Sequence, residues 1–82
     1  MFNNEIFNER LKGLRLELNL TQTQLAAPLG TTKGAIANYE NGNRLPNFEM
    51  LIAIADYFNV SVDYLLGRSD VRSMQTTNQP NN

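Results

Sequence analysis

The sequence predicts an all-α domain of five short helices, and three observations carry that expectation. Apolar residues recur at helical spacing along most of the chain. Four of the five helical segments follow a residue suited to an N-cap: Thr21, Thr32, Asn47 and Ser61. No stretch shows the sustained alternation of apolar and polar residues that marks a half-buried strand.

Taken in order, Phe7, Leu11, Leu14 and Leu18 form one stripe of a helix over residues 5–18, with Arg10, Lys12, Arg15 and Glu17 on its other sides. Asn19 tolerates the left-handed conformation that ends many helices. Thr21 and Gln24 then make the pattern of a capping box, opening a second helix over residues 22–29 that buries Leu25, Ala26 and Leu29. Pro28 removes a hydrogen bond from that helix and crowds the carbonyl four residues back, so its last turn is expected to be distorted. Thr32 caps a third helix from Lys33 to Glu40 or Asn41, with Ile36 and Tyr39 inward and Gly42 as its stop. Asn43, Arg44, Leu45 and Pro46 form a loop, and Asn47 caps a fourth helix to about Phe58 with Leu51, Ile54, Ala55 and Phe58 as its stripe. Ser61 caps a short fifth helix ending at Gly67. The predicted core comprises Leu14, Leu18, Leu25, Leu29, Ile36, Leu51, Ile54, Phe58, Val60, Val62, Leu65 and Leu66.

An 82-residue chain has room for one small domain. Residues 1–67 are expected to form it, and 68–82, polar and aperiodic, read as a disordered tail or linker. The absence of cysteine removes disulfides and thiolate metal sites, and the absence of histidine removes the commonest proton shuttle. With no phosphate-binding glycine loop and no clustered carboxylates either, an enzyme is not expected, nor is a metal or cofactor. No apolar run reaches the roughly 20 residues of a membrane helix, so the expectation is a cytoplasmic protein without a membrane partner. The net charge of −1 is unusual for a nucleic-acid binder, but the acids are unevenly placed. Between Leu18 and Phe48 the only acid is Glu40, against Lys33 and Arg44; the other seven lie outside. One face can therefore be neutral to basic on an acidic body.

Residues 21–42, TQTQLAAPLGTTKGAIANYENG, hold two short helices joined by a tight turn, the layout of a DNA-reading helix-turn-helix. Small Ala26 permits close helix approach, and Ile36 fills the angle between the helices. Thr21-Gln22, Leu25-Ala26, Gly30, Ile36, Tyr39-Glu40-Asn41-Gly42, Pro46 and Val60-Ser61-Val62-Asp63-Tyr64-Leu65-Leu66 stand at the joint spacing of one family. Over residues 10–67 the chain resembles the Cro/C1-type (XRE) helix-turn-helix family of phage and bacterial repressors. The resemblance implies a compact, five-helix, lambda-repressor-like fold, dimeric binding to a pseudo-palindromic double-stranded operator, and transcriptional repression.

If the third helix enters the major groove, Asn38 can pair with adenine, Lys33 can donate to guanine, and Ala35 can touch a thymine methyl; the alternative is a solvated helix face. Gly34 stands where many family members carry a longer polar side chain, so either the backbone approaches DNA more closely or fewer side chains read it. The resemblance makes Gln22 a phosphate anchor, with an ordinary first-turn glutamine as the alternative. Thr31, Thr32, Asn41, Asn43 and Arg44 are further phosphate candidates, Thr32 being needed also as a cap. It also pairs Arg15 with Glu40 as an ion pair holding the reading helix, against two surface charges in the bland reading. Met50, Ile52, Tyr57 and Tyr64 exceed what the core needs, which suggests partial burial or a self-association surface near Tyr57, Tyr64 and Leu66. A competing function is a protein-interaction module or antitoxin-like regulator dependent on a partner protein; an antirepressor is a further candidate partner. The near-absence of acids from Thr21 to Arg44 favours DNA.

Overall fold

The computed structural model describes residues 4–73. These form five helices: α1 (Asn4–Glu17), α2 (Gln22–Ala26), α3 (Lys33–Asn41), α4 (Phe48–Phe58) and α5 (Val62–Leu65). No strand occurs among the described residues. α1 packs against α3 and α5, α2 against α3, and α4 against α5.

Each cap foreseen from the sequence forms. Thr21 Oγ1 accepts from Gln24 N at 3.0 Å while Thr21 N donates to Gln24 Oε1 at 2.8 Å, completing the reciprocal capping box. Thr32, Asn47 and Ser61 each accept a backbone N–H three residues on, satisfying a donor the helix itself leaves unpaired. At the other ends, Gly42 and Asn59 adopt left-handed backbone and close α3 and α4.

One core unites the helices: Phe7, Leu11 and Leu14 from α1, Leu25 and Ala26 from α2, Ile36 and Tyr39 from α3, Ile54 and Ala55 from α4, with Val60 and Leu65. Leu20, Leu29, Leu51, Phe58 and Val62 pack against it while partly exposed. Leu18, expected inside, is exposed. The helix stops at Glu17, and Asn19 takes a φ of 58°, so the chain turns before Leu18 can continue the stripe; Leu20 packs on the core instead. Leu66 is half-buried just past α5 rather than a core residue.

The second helix is shorter than its apolar pattern suggests, ending at Ala26 and continuing as turns through Gly30. Pro28 explains the stop, because its ring nitrogen cannot donate to the Gln24 carbonyl that an extended α2 would offer. Thr31 N instead donates to Ala26 O at 3.1 Å, closing the turn.

Of the predicted tail, residues 74–82 lie outside the described residues, while residues 68–73 fold back over the domain. Gly67, at φ 80°, starts this strap; a Cβ there would stand 2.7 Å from Ile6 Cγ2, so both backbone and space demand glycine. Arg10 Nη1 donates to the carbonyls of Tyr64 and Ser69, and its guanidinium carbon lies 4.1 Å from the Tyr64 ring centroid. Ser61 N donates to Arg72 O at 2.7 Å, and Arg72 makes a two-point ion pair with Glu17. Periodicity gives no hint of this strap, since charged and backbone groups rather than an apolar stripe hold most of it.

Candidate nucleic-acid interface

The α2–turn–α3 unit is set by which side chains α3 can hide. Ile36 and Tyr39 are buried against the other helices, leaving Lys33, Gly34 and Asn41 exposed and Ala35 and Asn38 half-buried. Every proposed base-reading residue thus lies on or beside the outer face of one helix, and Lys33 and Gly34 sit in its first turn. A side chain at position 34 would meet only Thr32 Oγ1, 3.9 Å away. Packing therefore does not require this glycine, and its bareness leaves the first turn of α3 open to close approach from outside.

Both ends of α3 are fixed by local bonds. Thr32 Oγ1 accepts from Ala35 N at 3.1 Å, so its hydroxyl oxygen is already used in capping. Beyond the helix, Gly42 at φ 86° would bring any Cβ to 2.9 Å from Asn8 Nδ2 on α1. The turned chain sends Gly42, Asn43 and Arg44 N–H groups to the Asn38 carbonyl, and Asn41 Oδ1 accepts from Asn43 N at 3.0 Å. Asn41, Asn43 and Arg44 are exposed on this short loop, and Thr31 is half-buried at the other end.

Beneath α3, Arg15 Nε donates to Glu40 Oε2 at 2.6 Å and Arg15 Nη2 to Glu40 Oε1 at 3.0 Å. Their side chains are only 10% and 5% exposed, so this is a buried pair joining α1 to α3. Arg15 Nη1 also donates to Leu20 O at 2.7 Å, fixing the turn that leads into α2. The bond to Glu40 raises the Arg15 pKa still further, against the opposing effect of burial, so the guanidinium stays charged.

Gln22, expected as a phosphate anchor, has a partner within the protein. Its Nε2 donates to Glu40 Oε1 at 3.1 Å, which makes α2 the third helix held by this carboxylate. Sequence reasoning missed that contact because the two residues are 18 positions apart and nothing local signals their meeting.

The residues considered for self-association are divided by the structure. Tyr57 is exposed and stacks edge-on against Phe58, with ring centroids 5.1 Å apart. Tyr64 is half-buried, with Arg10 over its ring and its hydroxyl accepting from Arg72 Nε at 3.3 Å; Leu66 is half-buried. Ile52, also singled out, is exposed, and so are two apolar residues that sequence reasoning passed over, Leu45 and Phe48, the latter at 84%. The four-residue spacing of Phe48 and Ile52 was the available signal.

A helix-turn-helix family model matches residues 11–65. The transcriptional activator BcrR of Enterococcus faecalis is 40% identical over 76 residues, covering 93% of this chain and 37% of that protein. The regulator YqaE of Bacillus subtilis is 42% identical over 85% of this chain and 61% of its own, and the cryptic phage CTXphi repressor RstR of Vibrio cholerae is 42% identical over 73% and 54%. The chain therefore spans between about a third and three fifths of these relatives' lengths. Among solved structures, the P22 c2 repressor in complex with a synthetic operator superimposes with a TM-score of 0.73 at 32% identity, covering 77% of this chain and 96% of that one. Hydroxypropylphosphonic acid epoxidase from S. wedmorenis also matches, with a TM-score of 0.66 at 31% identity, but over only 34% of the epoxidase chain. The matched segment, its five helices and the capped α2–α3 unit agree: this chain belongs to the Cro/C1-type (XRE) helix-turn-helix family.

Proposed function

We propose that the protein binds double-stranded DNA sequence-specifically through the major groove and regulates transcription as a repressor, acting as a dimer on a pseudo-palindromic operator. The observation that carries this reading is the outer face of α3: it joins a cation, an amide and a bare glycine on a helix locked from beneath by a buried ion pair. The likeness to an operator-bound repressor over 96% of that chain supports it.

In this reading Asn38 pairs bidentately with adenine, Lys33 donates to guanine O6 or N7, and Ala35 meets a thymine methyl. Gly34 brings backbone rather than side chain toward the bases. Asn41, Asn43 and Arg44, in the loop after α3, and Thr31 before it reach phosphates on either side of the groove. Thr32 contributes chiefly through its cap. Two copies related by two-fold symmetry place their reading helices about 34 Å apart, one turn of DNA. Because Lys33 and Arg44 are the only cations between Leu18 and Phe48, affinity falls less steeply with salt than for a strongly basic domain.

The folded unit in this proposal runs through Ser73 rather than ending at Gly67, since Arg10, Ser61 and Glu17 all bond to the strap. Regulation by an antirepressor or another protein would act on this same unit. The test is selection from a random duplex pool at stated, moderate salt. Recovery of a two-fold symmetric site is expected; no enrichment even at low salt overturns the DNA reading in favour of a protein-interaction module.

A further inference from the structure

Residues 69–72 lie on the domain in the manner of a bound peptide, and three parts of the surface hold them. Arg10 of α1 takes the leading end: Nη1 donates to Ser69 O at 2.8 Å, and Nη2 donates to Asp70 Oδ1 at 2.9 Å. Ser61, just ahead of α5, takes the backbone: its N–H donates to Arg72 O at 2.7 Å, and its hydroxyl donates to Val71 O at 3.4 Å. An acid and an aromatic ring take the trailing end. Glu17 of α1 accepts from both Arg72 Nη atoms, while Arg72 Nε donates to the Tyr64 hydroxyl at 3.3 Å. The guanidinium carbons of Arg10 and Arg72 lie 4.1 and 5.5 Å from the Tyr64 ring centroid, so the ring links the two ends.

The holding groups are ordered by bonds within the domain as well as by the strap. Arg10 Nη1 also donates to Tyr64 O at 2.5 Å, and Ser61 Oγ accepts from Tyr64 N at 2.9 Å. On the other side, the contacts through Ser69, Val71 and Arg72 carbonyls are open to any extended backbone. Side chains are recognised at two positions only: an acid at Asp70 by Arg10, and an arginine two residues on by Glu17. Every residue from Asp70 to Ser73 is exposed, and ion pairs so exposed hold a segment weakly. Tethering through Gly67 keeps the strap in place by giving it a high local concentration.

We propose that this face of α1 and α5 is a peptide-binding site, filled in cis by residues 69–72 and open in trans to an extended segment of a partner protein that carries an acid and, two positions later, an arginine. A partner with further contacts around such a segment displaces the strap. The site shares no residue with the outer face of α3, so it stands apart from the DNA reading and does not rest on it.

The test is made by NMR on the full chain, with a blocked synthetic peptide of residues 68–73 as the probe. Asp70→Ala with Arg72→Ala removes both recognised side chains from the strap; Arg72→Ala alone gives the same reading if the double variant does not fold. The Ser61 amide should move upfield in the variant as its bond to Arg72 O is lost, and the Tyr64 ring resonances should shift, while Ile36 and Leu25 in the core stay put. Millimolar peptide should return both signals toward their wild-type positions in a saturable way, and should leave the wild-type chain, whose site is filled, nearly unchanged. A peptide with alanine at both recognised positions should have no effect. Variant signals that stay at wild-type positions overturn the side-chain recognition. A released site that ignores the peptide, or that responds equally to the alanine peptide, overturns the binding site.

Discussion

Arg15–Glu40 and Arg72–Glu17 are both two-point arginine–carboxylate pairs with one member near the end of α1, and they sit in opposite surroundings. In the first, both side chains are nearly buried and the remaining polar atoms find Leu20 O and the Gln22 amide. In the second, Arg72 and Glu17 are each about half exposed, at 46% and 52%. The geometry of the bonds is similar, so the difference lies in what happens when a partner is removed. Water can replace the lost partner of Glu17, whereas an arginine left alone beneath α3 keeps its charge in a site from which water is largely excluded. A hydrogen-bond pattern by itself does not rank two ion pairs; the solvent around them does.

The largest effect expected from this contrast is at Glu40. Glu40→Ala should destabilise the fold by about 3–5 kcal/mol, measured by chemical denaturation, and should weaken operator binding as α3 loosens. An unchanged melting temperature would show that the pair is not acting as a buried one.

Next comes Gly67, where the strap leaves α5. Gly67→Ala forces a Cβ against Ile6 and strains a φ of 80°, with an expected loss of about 1–3 kcal/mol. A neutral result would mean that the strap's start can shift without cost to α1.

The smallest effect belongs to the exposed pair. Glu17→Gln should lower the melting temperature only slightly at neutral pH, and the pH dependence of that small difference checks its cause. Hydrogen bonding to Arg72 lowers the Glu17 pKa below its ordinary value of 4.5. Because the folded-state value is the lower one, the contribution is complete above the ordinary carboxylate range and is lost as pH falls through the folded value. The difference in stability between wild type and Glu17→Gln should therefore shrink on acidification; a difference that grows would contradict the assignment.

The same contrast marks what could be read from the sequence. The α2–α3 unit was legible because its signals are local: a Thr-x-x-Gln box, a threonine cap, a glycine stop, and apolar residues at helical spacing. Where a local signal was overridden, the cause is specific. Leu18 continues the α1 stripe on paper, but the chain turns at Asn19; Leu29 extends the α2 pattern, but Pro28 removes the donor such an extension needs. The strap was illegible for a different reason. Nothing in residues 68–73 repeats, and their placement depends on Arg10, Ser61 and Glu17, which are far away in sequence. Gln22 illustrates the same limit within the α2–α3 unit, since its partner Glu40 lies on another helix.

The central claim is that the outer face of α3 reads base pairs, and Asn38 is its most specific element. The most direct test repeats the duplex selection with Asn38→Ala, a half-exposed position whose backbone carbonyl still caps the loop. The account predicts the same two-fold symmetric site with preference relaxed at one base pair in each half, at a loss of about 1–3 kcal/mol for the matched duplex. An Asn38→Ala protein that selects the wild-type site with every position equally sharp would contradict it.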